Sequence, residues 1–256
     1  RDLQSYHDFL LIGLKVSEAV NLPALVLAPC SSQGQLCSSI KIIDEASRGA
    51  FLGNRDAALS QLPGCGIPMP AREALCLLQQ EAAALQKAGE LLPGIFKDFA
   101  ALSGTCYQEF FSSGLEGADT VAVVAGPLVG TANAAVAEAR NQGHKIGLVN
   151  PPLLRPFPGP QLLAVLSQAK QLTVFDNFID GAGRGYLAQE LQAASRIPGQ
   201  SILVPQDWDG VGKEEIAGLL VDKSISQETV YLGIGPGLPG YEPRPVVEPG
   251  IAPLVS

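Results

Sequence analysis

The chain has 256 residues and a mass of 26.7 kDa, enough for more than one domain and for a core that needs no disulfide or metal staple. Charged residues make up 16%, the net charge is −8 and the isoelectric point is about 4.8, which excludes a nucleic-acid partner because phosphate binding needs a positive surface. No apolar run approaches the ~18 residues of a membrane span, and the start at Arg1 shows no signal-peptide pattern, so the sequence reads as a piece of a longer chain.

The first element is a helix. Ser5 is placed to cap it, with Asp8 as the acidic half of a capping box. Phe9, Ile12, Val16 and Ala19 make its apolar stripe, and Pro23 stops it. Ala24 to Ala28 reads as a short buried strand, Pro29 to Gly34 as a polar loop, and Ile40 to Ile43 as another extended piece. Residues 53–70 hold Gly53, Pro63, Gly64, Gly66, Pro68 and Pro70, a linker composition. A strong helix is predicted over Ala71–Leu92, closed by Pro93-Gly94, and a second, short one over Ile95–Leu102.

From residue 118 strands alternate with helices. Strands are predicted over Thr120–Ala125, Lys145–Val149, Leu172–Phe175 and Ser201–Val204. Helices are predicted over Ala132–Gln142, Gln161–Ala169, Tyr186–Ala194 and Lys213–Val221. This order predicts an α/β fold, a mostly parallel sheet with helices on both faces. The last 24 residues, from Gly233, carry six prolines and five glycines and cannot build a core. Internal repeats are absent.

The five cysteines are Cys30, Cys37, Cys65, Cys76 and Cys106, spaced by 7, 28, 11 and 30. No Cys-x-x-Cys occurs, so the spacing argues against zinc or cluster ligation and suits buried thiols in a reducing compartment. His7 and His144 have no Ser or Cys elbow near them, which argues against a hydrolase triad.

Several residues are candidates for an interface or a cleft. Gly126, Gly130 and Thr131 sit at a strand-to-helix turn, where free N–H groups converge. The spacing is not that of a dinucleotide fingerprint, and close strand–helix packing also explains the glycines. Gly181 and Gly183 belong to Gly181-Ala-Gly-Arg-Gly185, before a helix; it lacks the Lys-Ser/Thr of a phosphate loop. Asp176, Asp180, Asp207 and Asp209 follow strands, where open α/β sheets place ligand groups, although turn and capping roles suit them as well. Arg155 and Phe157 lie in Arg155-Pro-Phe-Pro158, a stiff loop suited to a fixed ion pair. No catalytic or metal-ligating residue is singled out.

From Thr120 to Leu191 the ordered motifs resemble the α subunit of the 2-oxoacid:ferredoxin oxidoreductases, of the pyruvate:ferredoxin oxidoreductase type, in a divergent or truncated form. The motifs are Gly126-Pro127 with Gly130-Thr131; Arg140-Asn-Gln-Gly143-His-Lys145-Ile-Gly147-Leu148; Arg155-Pro-Phe-Pro158; Val174-Phe-Asp176; Gly181 to Gly185; and Glu190. Arg1-Asp2, Gln4, Asp8, Lys15, Glu18, Leu22-Pro23 and Tyr107 extend the resemblance over about residues 1–222. The family's Asp-Gly-Phe is here Pro29-Cys30-Ser31, and its late glycine loop is Gln206 to Gly212.

The resemblance implies a division of the chain. Residues 1–60 would be the C-terminal remnant of a thiamine-diphosphate pyrimidine-binding domain, and 61–115 a helical connector. Residues 116–232 would be an α/β domain similar to the C-terminal domain of transketolases, and 233–256 a Gly/Pro-rich tail. It also implies CoA-dependent oxidative decarboxylation of a 2-oxo acid such as pyruvate, with electrons passed to ferredoxin. That work would occur in a cytoplasmic complex with other subunits, away from membranes. Thiamine diphosphate with Mg2+ and iron–sulfur clusters would belong to the complex, the clusters held elsewhere than in this chain. Because the first part of the pyrimidine domain is not in the sequence, the isolated chain is expected to be inactive. Two other expectations are a non-catalytic assembly subunit on the same scaffold, and a nucleotide-binding α/β protein resting on the glycine turns alone.

Overall fold

A computed structural model describes residues 3–27, 39–53, 70–177, 185–204, 211–221 and 230–232. Three helices come first: α1 (Leu3–Val20), α2 (Glu45–Leu52) and α3 (Ala71–Ser103). Strand β1 (Phe111–Ser113) follows, and then the alternation β2 (Thr120–Val124), α4 (Val129–Asn141), β3 (Ile146–Asn150), α5 (Gly159–Leu166), β4 (Gln171–Asp176), α6 (Tyr186–Ala194), β5 (Gly199–Leu203), α7 (Lys213–Val221) and β6 (Val230–Tyr231).

The strands form one sheet in the order β1-β3-β2-β4-β5-β6. Only the edge pair β1/β3 is antiparallel, with Ser112 opposite Val149. The other pairs are parallel, for example Ala122 beside Leu148 and Val123 beside Val174. Strands β2 and β3 are buried at every residue, as expected when both faces are covered. On one face Ala122, Val124, Leu148, Phe175 and Ile202 pack on α4 and α7; on the other Val121, Val123, Val149 and Val174 pack on α5 and α6. The predicted α/β class, with helices on both faces, therefore holds. Arg140 of α4 ties the edge together, its Nη1 donating to Gly114 O at 2.7 Å and to Ile146 O at 3.0 Å.

A second core joins α1, α2 and the C-terminal half of α3 through Leu11, Ile12, Phe51, Leu92, Phe96 and Phe99. Here several sequence expectations need correction. The predicted break at Pro93-Gly94 is absent, and α3 runs unbroken for 33 residues. Pro93 removes one rung of the helical ladder, but Leu92, Ile95, Phe96 and Phe99 are all buried around it, and their burial offsets that loss. Ser5 does not cap α1, which is already helical at Leu3. Asp8 is a buried acceptor instead: its Oδ1 receives Gln4 Nε2 at 2.8 Å and lies 3.0 Å from His7 Nδ1, and its Oδ2 receives Tyr107 Oη at 2.8 Å. The helix ends at Asn21, whose φ of 55° is the left-handed stop that asparagine tolerates.

Neither predicted strand near the start exists among the described residues. Residues 22–27 and 39–43 belong to no ladder. Helix α2 is only eight residues long and leaves little period to read, yet it carries a readable signal: Asp44 Oδ1 accepts the Ser47 N–H at 2.9 Å, and hydrogen bonding from the Ser47 side chain, then from its backbone N–H, lowers the Asp44 carboxyl from its ordinary value. Strands β1 and β6 have three and two residues and leave no period to read. The linker within residues 54–69 and the tail from 233 lie outside the described residues.

Candidate functional site

Chain order reverses between β2 and β4, because β3 lies on one side of β2 and β4 on the other. In parallel sheets such a reversal opens a crevice at the carboxyl ends of the two strands. The residues at that edge are set by short local rules. After β2 the chain turns at Gly126 with φ of 79°, a conformation open to glycine and strained for other residues. A 3₁₀ turn, Gly126–Leu128, feeds directly into α4, so Gly130 and Thr131 lie inside the first turn of the helix, not in a loop before it. Asn150, buried at the end of β3, donates Nδ2 to Val124 O at 2.8 Å and locks the two strand ends together.

Asp176 ends β4, and its carboxylate is buried. Its Oδ1 accepts the Leu187 N–H at 3.1 Å and its Oδ2 the Ala188 N–H at 2.9 Å. The side chain thus caps α6 from the strand that precedes it in the chain. Burial pushes its carboxyl up from the ordinary aspartate value, and the two N–H groups oppose that shift. A raised folded value means that Asp176 contributes stability fully below pH 3.8, and that this contribution is lost as pH rises through the folded value. Asp176→Asn removes the titration, so its stability deficit relative to the parent should be largest near pH 3.5 and shrink toward pH 7. Paired urea melts at the two pH values check this; a deficit that grows with pH would contradict it.

The loop after β3 is a separate wedge. Arg155–Pro156 is a cis peptide. Arg155 Nη2 donates to Glu190 Oε1 at 2.8 Å, its guanidinium lies 4.9 Å from the Tyr186 ring centroid, and Nη1 donates to Leu154 O at 3.0 Å. The Glu190 hydrogen bond raises the Arg155 value further, against the opposing effect of burial. Burial likewise pushes the Tyr186 phenol up. Phe157 packs into the sheet core beneath α5 and α6, while Leu153 packs into the core of α1, α2 and α3. Tyr186 and Glu190 are four residues apart on α6 and so share one face; that spacing is the signal by which sequence could have paired them with Arg155.

The structure therefore divides the sequence candidates. Gly126 and Asp176 share the carboxyl edge of the sheet, Arg155 and Phe157 share the wedge, and Gly130 and Thr131 lie within α4. Gly181, Gly183, Asp180, Asp207 and Asp209 fall outside the described residues. Arg155 keeps a side-chain exposure of 47%, so its intrachain contacts are worth little. Arg155→Ala should cost the isolated chain about 1 kcal/mol, the sum of a surface ion pair and an exposed cation–π contact. Chemical denaturation measures this, and a loss above about 3 kcal/mol would show a buried pair instead.

Residues 118–212, the sheet core from just before β2 to just before α7, match the family described as pyruvate:ferredoxin oxidoreductase core domain II. The chain resembles the α subunits of the 2-oxoacid:ferredoxin oxidoreductases. Similar curated proteins include the ketoisovalerate oxidoreductase subunit VorA of Pyrococcus abyssi, 26% identical over 197 residues that cover 75% of this chain and 50% of the relative. The pyruvate synthase subunit PorA of Pyrococcus horikoshii is 27% identical over 238 residues, covering 88% of this chain and 60% of the relative. The chain thus spans roughly half the length of the curated relatives it matches. A 2-oxoglutarate:ferredoxin oxidoreductase from Magnetococcus marinus superposes with a TM-score of 0.42 at 18% identity, over 77% of this chain and 32% of that one.

Proposed function

We propose that this chain is the α-subunit portion of a 2-oxoacid:ferredoxin oxidoreductase, serving a complex that decarboxylates a 2-oxo acid oxidatively, transfers the acyl group to coenzyme A and passes electrons to ferredoxin. The observation that carries the reading is the core domain II match over residues 118–212, the same stretch in which the Arg155 wedge and the Asp176 cap are built. The names of the relatives, pyruvate synthase and ketoisovalerate oxidoreductase subunits, support 2-oxo acids as the substrate class. A cytoplasmic setting belongs to the same reading; no helix among the described residues is long and apolar enough to cross a membrane.

The family reading brings thiamine diphosphate with Mg2+ and iron–sulfur clusters to the complex. Among the described residues no three His, Cys, Asp or Glu side chains gather to hold a metal ion. Asp176, the buried carboxylate of the sheet edge, has both oxygens engaged by backbone N–H groups. Cys76 and Cys106 are exposed, free thiols, one on α3 and one beyond its end. On this reading the described residues act structurally: the sheet holds the wedge, and the exposed side of Arg155 faces a neighbouring subunit. Replacing Arg155 by Ala should then weaken assembly by about 2–5 kcal/mol, the cost of leaving a partner's charge unpaired, well above the effect on the chain alone.

The test is reconstitution. The complex purified with this chain should reduce ferredoxin only when a 2-oxo acid and coenzyme A are both supplied, and the 256-residue chain alone should give no turnover. Assembly without any such activity would favour the second reading, a non-catalytic subunit on the same scaffold. Turnover by the chain alone would overturn both.

A further inference from the structure

Two stretches among the described residues reach from the helical core into the sheet core. The first is the chain between α3 and β1. Its Tyr107 packs on the helical core, with Phe9 and Phe99, and its Phe110 packs on the sheet core. The backbone itself makes this join, so the two cores cannot part there. The second stretch is the wedge. Leu153 packs on the helical core, Phe157 on the sheet core, and Pro156 between them lies against Gly89 of α3. Here side chains alone make the join. Residues 151–158 belong to no helix or strand, so no backbone ladder fixes their path.

The path is fixed from α6. Arg155 Nη2 donates to Glu190, the guanidinium lies over Tyr186, and Tyr186 Oη donates to Leu154 O at 3.4 Å. Helix α6 is rooted in the sheet by the buried Leu187 and Leu191 and by the Asp176 cap on its first turn. Each core is thus packed within itself, whereas the clamp between them is an exposed ion pair of the weak class. A weak clamp on one side and a covalent join on the other are the parts of a latch and a hinge.

We infer that the α1–α3 layer swings on the stretch from Gly104 to Phe110 and is held shut by Arg155 on α6. The lever is long: Gly89, where the wedge touches, lies about 21 Å along α3 from its end at Ser103. A turn of about 15° at the hinge therefore moves Gly89 by about 5 Å. Glu190 and Tyr186 are positioning residues in this device, since they act on the helical layer only through Arg155.

The distance between spin labels on non-natural side chains at Lys87 and Ala193, both exposed, tests this in the full chain. Arg155→Glu sets a second carboxylate against Glu190, so the distance should lengthen by about 5 Å or more, the arc given by that lever. The charge swap Arg155→Glu/Glu190→Arg should restore the parent distance. A control pair at Gln142 and Ala193, within the sheet domain, should stay constant in every variant. An unchanged distance in folded Arg155→Glu overturns the inference. So does a lengthening that the swap fails to reverse, or a change in the control pair, because either makes Arg155 an ordinary packing residue. If Arg155→Glu does not fold, Glu190→Gln carries the test: it removes one charge of the latch and keeps its shape, and should add a longer-distance population that the parent lacks. A distance distribution in Glu190→Gln identical to the parent's overturns the inference as well.

Discussion

Gly185→Ala should lower the unfolding free energy of the chain by about 2–5 kcal/mol, as the sum of overpacking and of buried hydrogen bonds lost. The glycine has φ −66° and ψ 133°, values that any residue adopts, so backbone strain is not the reason. The reason is close approach. A Cβ at this position would lie 2.8 Å from both Cβ and Cγ of Asp176, and Asp176 is held between its own strand and the first turn of α6. The carboxylate cannot yield without releasing the Leu187 and Ala188 N–H groups, which would be left buried and unpaired. Urea denaturation followed by circular dichroism measures the loss, and one below about 1 kcal/mol would show that the strand end can shift freely. The double variant Gly185→Ala/Asp176→Ala should be less damaged than the two single costs summed, because both changes act on one contact.

Phe99→Ala should cost about 3–5 kcal/mol, the range for emptying a fully buried aromatic site. Phe99 is completely buried in α3, its ring centroid 5.4 Å from that of Phe51 on α2 and 6.0 Å from that of Tyr107. Tyr107 in turn donates to the buried Asp8 of α1, so the cavity opens beside the hydrogen bond that ties the first helix to the chain entering the sheet. Hydrogen exchange should show the loss concentrated in α1, α2 and the end of α3, with β2 to β4 retaining most of their protection. A uniform loss across both cores would mean that the helical layer and the sheet unfold as one unit.

The sheet was legible because its strands are continuous apolar runs ending in turns. Val121 to Val124, Leu148-Val149 and Val174-Phe175 announce burial on both faces, and the helices between them are long enough to show their period. The long helix was misread because Pro93 is a strong local signal, and local signals do not report that Leu92, Phe96 and Phe99 share a buried face with α1. The candidate site was half legible. Arg155-Pro-Phe-Pro158 marked the wedge, but nothing local says that its guanidinium would meet Tyr186 and Glu190, some thirty residues on. Asp176 was marked by its place after a strand; its role as a helix cap needed the distance to Leu187 and Ala188. At residues 22–27 and 39–43, by contrast, sequence and structure disagree because strand propensity finds no neighbour within the described residues to satisfy it.

Helix α3 has its missing rung where it meets the sheet domain. Pro93 cannot donate to the carbonyl four residues earlier, and that carbonyl belongs to Gly89. Gly89 is also where Pro156 of the wedge approaches: a Cβ there would lie 3.5 Å from Pro156 Cγ. The rod is therefore softest at its point of lateral load. If the wedge is pushed by a docking subunit, α3 should flex about Gly89 like a notched beam, swinging the exposed stretch around Leu75 and Leu78 while the buried half stays seated on α1.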